Sequence, residues 1–424
     1  MTPRTQTRAN GQRDQLIHGR RVGALAAELS RCVGSTAYEQ DILMDAGLAH
    51  HYPPELLSIE TIGPALNILA RQSRGESSRP HGPSRLRHLN DVLDVLIGFH
   101  SGSVSRRGDA LTSILAAANF LVDRLESTAG GEVRESVFDA LRGKTGDGLI
   151  STVAYRAAMS LPRLRGDDLS PSVARLPVFP AIALRLLALA ASGSVSFANL
   201  SALVSKDQVL AGHLISAANS CLYSPNANIS NIGHAISYIG LDESCRIITA
   251  ASLRPLFASG GLGELWRHSL EAARSCEDVA VLAGGVRKDD AFLAGLVHDV
   301  GRLLILRHSG EASLAFVRLI EQGCDAAFAE RLLFGRDHAA LGAEILKVWK
   351  FPENLLEAVR HHHSPEQSEG KLASLLFLFE GGSAPGAAQP SEASMEFAAG
   401  KLGIGAASFE CGGSDLGLLR VMCA

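Results

Sequence analysis

The chain has 424 residues, a formal net charge of −4, and a composition that is 46% hydrophobic but only 5% aromatic. This length exceeds one ordinary core and predicts two domains. Ala, Leu and Val dominate without β-branched or aromatic enrichment, which predicts an all-α fold. The mild negative charge gives the whole chain no electrostatic reason to seek nucleic acid or an anionic membrane.

The opening segment, "MTPRTQTRANGQRDQ", is polar with no apolar run behind it, and no stretch reaches the roughly 18 apolar residues of a membrane span. The expectation is a soluble cytoplasmic protein. Its seven cysteines, Cys32, Cys221, Cys245, Cys276, Cys324, Cys411 and Cys423, are scattered and odd in number, which predicts free thiols.

From Leu16 the spacing of Val22, Leu25, Leu29 and Val33 predicts a helix ended by Gly34, and a second carries Ile42, Leu43, Ala46 and Ala49 up to "HHYPP". Further helices are predicted near 55–71, 89–100, 109–126 and 133–143. Residues 71–88, rich in Arg, Ser, Gly and Pro, read as a flexible insertion. Arg74, Arg79, Arg85 and Arg87, with Arg106 and Arg107, could grip an anion, although a solvated loop is the commoner use of such a stretch.

These elements form a first helical domain over 1–160. A linker is expected at 161–175, a second domain at 176–382, and a weakly ordered tail at 383–424 with a helix at 394–402. In the second domain Ser196, Asp207 and Asp242 stand where N-caps would start short helices.

One greasy segment there, "AFLAGLVHDVGRLLIL", places His298 and Asp299 in the last turn of a core helix, with Gly301 as a left-handed cap. Burying such a pair costs several kcal/mol unless a partner, a counter-charge or a metal satisfies it. Helical spacing turns His268, His338, His362 and His363 toward the same interior and leaves His361 off the stripe. Imidazoles with a carboxylate suit Fe, Mn or Zn, and a bridging Asp could hold two ions able to activate water against a phosphoester. Satisfied core histidines are the plainer reading.

The string "LVHDVGRLL", with "WRHS" before it and "DHAALGAEILKVWKFPENLLEAVRHHHSPE" after, resembles the HDOD domain, a relative of the HD phosphohydrolase superfamily. Upstream, "LPVFPAIALRLLALA", "LVSKDQVLAGHLISAANSCLY" and "ISNIGHAISYIGLD" extend the likeness over about 172–385. The resemblance implies an all-helical bacterial signalling or regulatory module that acts by binding a protein partner or a nucleotide signal. It also aligns His268, His298, Asp299, His338 and His362 or His363 with metal-ligand positions, and Glu380 with a closing Asp. His298 and Asp299 would then be the catalytic pair if the domain were a metal-dependent phosphohydrolase acting on a nucleotide or cyclic dinucleotide. Departures are Gln208 for Pro, Ile239 for Leu and Arg302 for Lys, and the Gly-Tyr-Pro signature of cyclic di-GMP phosphodiesterases is missing.

The first half is similar to a degenerate HD or HD-GYP domain. His18 and His50 match its histidines and His100 is kept, but His51 replaces the Asp of the His-Asp pair and Asn119 replaces the final Asp. With both carboxylates gone, no catalytic metal centre is expected there.

Overall fold

The computed structural model describes residues 3–404 except 75–82, 102–108, 128–133, 147–149, 165–168, 170–178, 192–193, 224, 226–227, 259–261 and 384–391. Among the described residues every regular element is helical, as the composition predicted, and no helix is long and apolar enough to cross a membrane. Cys32, Cys221, Cys245, Cys276 and Cys324 are free thiols.

The chain divides into two compact units that cut across sequence order. Unit 1 takes residues 1–168, 308–337 and 384–393, whereas unit 2 takes 169–307, 338–383 and 394–424. The hairpin at 308–337 was expected inside a continuous second domain at 176–382, but its buried face packs in unit 1.

Unit 1 begins with helices α1 (Pro3–Cys32), α2 (Ala37–Ala49), α3 (Ile59–Arg74), α4 (Pro83–Ser101), α5 (Asp109–Ser127), α6 (Arg134–Gly146) and α7 (Thr152–Met159). Gly34 ends α1 at φ +82, a backbone geometry that L side chains resist, and Thr36 with Glu39 forms a capping box that starts α2. Leu25, Leu29, Leu43, Leu96, Leu115 and Phe138 are fully buried, each worth roughly 1.5–3 kcal/mol of transfer free energy. Gly19 and Gly23 let α1 lie directly against α2: a Cβ on Gly47 would stand 2.2 Å from the Gly23 Cα.

The expected insertion at 71–88 is narrower than predicted, because α3 runs to Arg74 and α4 starts at Pro83, so 83–88 are helical. His88 there bonds Asp45 at 2.9 Å and Arg87 lies 3.9 Å from Asp91. Arg79, Arg106 and Arg107 lie outside the described residues.

Unit 2 starts with α8 (Ala181–Ala191), α9 (Phe197–Val204), α10 (Gln208–Ala218), α11 (Ile232–Ile239) and α12 (Leu241–Leu253). Ser196 and Asp207 cap α9 and α10 as expected, their side chains accepting backbone N–H bonds. Asp242 is not a cap: Gly240 holds that place at φ +95, which puts Asp242 in the first turn, where its charge suits the helix dipole.

Then come α13 (Gly263–Ala283), α14 (Lys288–Val297) and α15 (Arg302–Arg307). The chain next crosses to unit 1 for α16 (Glu311–Glu321) and α17 (Ala326–Phe334), and returns for α18 (His338–Val348), α19 (Glu353–Arg360) and α20 (Lys371–Ser383).

In unit 1 the hairpin buries Leu319, Phe328 and Leu332. It is pinned to α1 by ion pairs: Arg318 to Glu28 at 2.7 Å, and Arg21 to Asp325 at 2.6 Å. The last described helix, α21 (Glu392–Leu402), matches the helix expected at 394–402 and is better anchored than a weakly ordered tail implies, since Ala398 and Leu402 are fully buried and Lys401 donates to the Ser368 carbonyl. Residues 405–424 lie outside the described set.

Candidate metal centre

Five elements of unit 2 converge on one interior. α13 brings His268, the turn after α14 brings His298 and Asp299, α18 opens with His338, the turn after α19 carries His362 and His363, and α20 brings Glu380. His298 is the C-cap of α14, so the pair sits just past the helix and not in its last turn. Gly301 is not a left-handed cap either. Its role is close approach: a Cβ there would meet the His338 carbonyl oxygen at 2.0 Å.

Two of the imidazoles are oriented by their own backbone. His298 Nδ1 donates to the Gly295 carbonyl at 2.7 Å, and His362 Nδ1 donates to that of Val359 at 2.6 Å. With the proton held at Nδ1, each Nε2 turns a lone pair inward, the arrangement that fixes a ligating histidine.

The inward atoms fall into two groups joined by Asp299. In the first, His268 Nε2 and His298 Nε2 lie 2.9 and 3.0 Å from Glu380 Oε1, and 3.6 and 3.7 Å from Asp299 Oδ2. In the second, His338 Nε2 lies 3.2 Å from His362 Nε2 and 2.8 Å from His363 Nε2. Asp299 Oδ1 faces that group, 3.2 Å from His338 Nε2 and 3.2 Å from Arg302 Nε. In each group the donor atoms lie within 4.8 Å of one another.

Charge follows the same division. Burial alone would raise the Asp299 carboxyl, but Arg302, His298 and His338 hold it well below the usual carboxylate range. Burial likewise opposes ionisation of Glu380, which His268 and His298 nonetheless keep far below its ordinary value. His298 is pushed down by burial and lifted further by Asp299 and Glu380, so its net shift is upward. On the other side burial, reinforced by His338 and His298, lowers His362 to about 3, and His363 is lowered well below its ordinary value by burial and its neighbouring histidines.

His298, Asp299, His338 and His362 are 0% exposed, and His268 and His363 are partly buried. Neither oxygen of Asp299 accepts a hydrogen bond. A buried carboxylate left in that condition costs several kcal/mol, and inward lone pairs on His362 and His298 repel the groups they face unless a cation or proton lies between. The donor set therefore fits divalent metal: His268, His298, Asp299 and Glu380 would hold one ion, and Asp299, His338, His362 and His363 a second. All seven residues singled out in the sequence are brought together, and His361 is not.

Unit 1 holds a second gathering, whose histidines the sequence singled out and whose carboxylates it missed. His18, His50 and His51 lie together, and Asp123 and Glu126 of α5 reach His18. The similarity to an HD domain directs attention to Asn119 as the lost carboxylate. One and two helical turns further along α5 stand two carboxylates that the i, i+4 and i, i+7 periodicity could have shown.

An all-helical unit with a His-Asp pair at a helix end and clustered imidazoles defines an HD-type helical module. Residues 176–365 match the HDOD domain model, and this part of the chain is an HDOD domain. An uncharacterised protein of Treponema pallidum is 22% identical over 225 residues, a match covering 48% of this chain and 41% of that relative, so the chain spans about two fifths of the curated protein that it matches. A Marinobacter aquaeolei structure, provisionally named a signal transduction protein, is similar at TM-score 0.51 and 18% identity, covering 70% of this chain and 66% of that one. A Geobacter sulfurreducens HDOD domain protein of unknown function is 27% identical at TM-score 0.48, covering 60% and 91% of the two chains.

Proposed function

We propose that the chain is a bacterial regulatory module whose HDOD domain holds divalent metal, Fe, Mn or Zn, and acts by binding a protein partner or nucleotide signal, with no turnover. The carrying observation is the closure of the centre. Four of its seven donors have no exposure at all, and Arg302, the nearby cation that could have met a phosphate, lies against Asp299. When bound, the metal would supply Lewis acidity and charge neutralisation for the buried carboxylates. The Gly295 and Val359 carbonyls orient His298 and His362 as donors, and Asp299 places one oxygen toward each group.

Metal analysis by mass spectrometry on untagged protein purified without added metal, beside a screen of nucleotides and cyclic dinucleotides, tests this reading. Near-stoichiometric metal without turnover is expected, with the metal lost in Asp299→Ala. Metal-dependent hydrolysis that disappears in Asp299→Ala would establish the second reading, a phosphohydrolase with His298 and Asp299 as its catalytic pair. That alternative draws on the hydrogen-bond-free Asp299 oxygens, one facing each group, which a bridging ligand needs.

A further inference from the structure

The gathering in unit 1 repeats the device that orients His298 and His362. His50 follows α2 as His298 follows α14, and its Nδ1 donates to the Gly47 carbonyl, three residues back, at 2.6 Å. Gly295 and Gly47 also do the same packing work. A Cβ at Gly295 would stand 2.5 Å from the Ala272 carbonyl oxygen of α13, as one at Gly47 would strike Gly23 of α1. Helix pairing this close sets the histidine after α2 beside the one on α1.

With its proton at Nδ1, His50 turns a lone pair on Nε2 into the cluster. That atom is buried and has no hydrogen bond, in a residue 4% exposed. The His50 ring lies 4.0 Å from that of His51 and 5.3 Å from that of His18. His18 is oriented differently. Glu126 Oε2 takes its Nδ1 at 2.8 Å and is itself held by Arg21 at 2.8 Å, while His18 Nε2 faces inward, 3.2 Å from Asn119 Oδ1 and 3.6 Å from Asp123 Oδ1, so an ion there would displace the Asn119 contact. A carboxylate behind the imidazole is the supporting arrangement of histidine metal ligands.

We propose that His18, His50 and His51 form a second, mononuclear metal site in unit 1, with Glu126 and the Gly47 carbonyl as its supporting groups. Three imidazoles with a fourth position left to solvent suit a late first-row ion such as Zn²⁺ in four-coordination, and disfavour Mg²⁺ or Ca²⁺, which demand oxygen. The donor set is not the His-Asp pattern of the HDOD centre: His51 stands in place of the Asp. His51 and Asp123 are exposed, which leaves the ion a way in. The site is independent of what the HDOD centre does.

The test is zinc titration of full-length protein against a chromogenic chelator, in a background where Asp299→Asn and His363→Ala have disabled the HDOD centre. One equivalent of Zn²⁺ should remain bound, and Co²⁺ in its place should show the visible absorption of four-coordinate cobalt. Adding His50→Ala should weaken zinc by at least about a hundredfold, the upper end of the effect of losing a merely supporting group. His51→Ala, at an exposed position that folding does not need, should do the same with unchanged circular dichroism. Background protein that binds no zinc, or His51→Ala protein that binds it as tightly as the background, overturns the proposal.

Discussion

At the scale of single residues, Asp299 is held by opposing demands. Its burial is tolerable only because Arg302, His298 and His338 surround it, and its two oxygens still lack hydrogen bonds. In metal-free protein Asp299→Ala should cost about 3–5 kcal/mol, because it strands buried positive imidazole, and chemical denaturation should read this as a lower midpoint at unchanged slope. Glu380 was legible as a longer-armed replacement for Asp, and the structure shows what the length does: one oxygen serves both His268 and His298. Glu380→Asp should therefore retract from both and weaken metal binding by about tenfold, a change that competition with a chelator would register. The histidines could be found from sequence because helical spacing constrains them strongly. Asp123 could not be weighed in the same way, since its neighbour Asn119 matched the expected position and drew the reading one turn short.

Helices and their junctions carry a different kind of information. Apolar periodicity located α1 to α6, though it placed the start of α1 at Leu16 and not Pro3 and passed over the short α7, and Ser196 and Asp207 announced α9 and α10. Close approach was less visible, because a glycine in a sequence reads equally as a cap or as a contact. Gly301 is a contact, and Gly301→Ala would force its Cβ into the His338 carbonyl, with an expected loss of about 3 kcal/mol in thermal or chemical melts. The ion pairs between α1 and the hairpin are junctions of a second sort. Burial opposes ionisation of Asp325, but Arg21 outweighs it and holds that carboxyl below its ordinary value. Arg318 and Arg31 do the same for Glu28 against a similar burial penalty. In both cases the unfolded chain takes up protons first as pH falls. The stabilisation is thus complete above the ordinary carboxylate range of about 4 and is lost as pH drops through the lowered native values. Asp325→Asn should remove its share, about 3 kcal/mol at neutral pH, and flatten the loss of stability in acid.

For the whole molecule, the feature least legible in sequence is the allegiance of residues 308–337. Their stripe of Leu319, Phe328 and Leu332 predicts a buried face, but periodicity does not say which core receives it. Physically the receiving core is that of unit 1, although 139 residues of unit 2, 169–307, intervene along the chain. A fragment begun near residue 175 should consequently behave worse than the intact chain, exposing this apolar face and binding a hydrophobic dye, and adding residues 1–168 in trans should reduce the signal. The consequence reaches into ancestry. Modules that are cut at a linker can be shuffled between genes by a single recombination, but a crossover at 161–175 would deliver a hairpin without its cover and leave the recipient half without its filling.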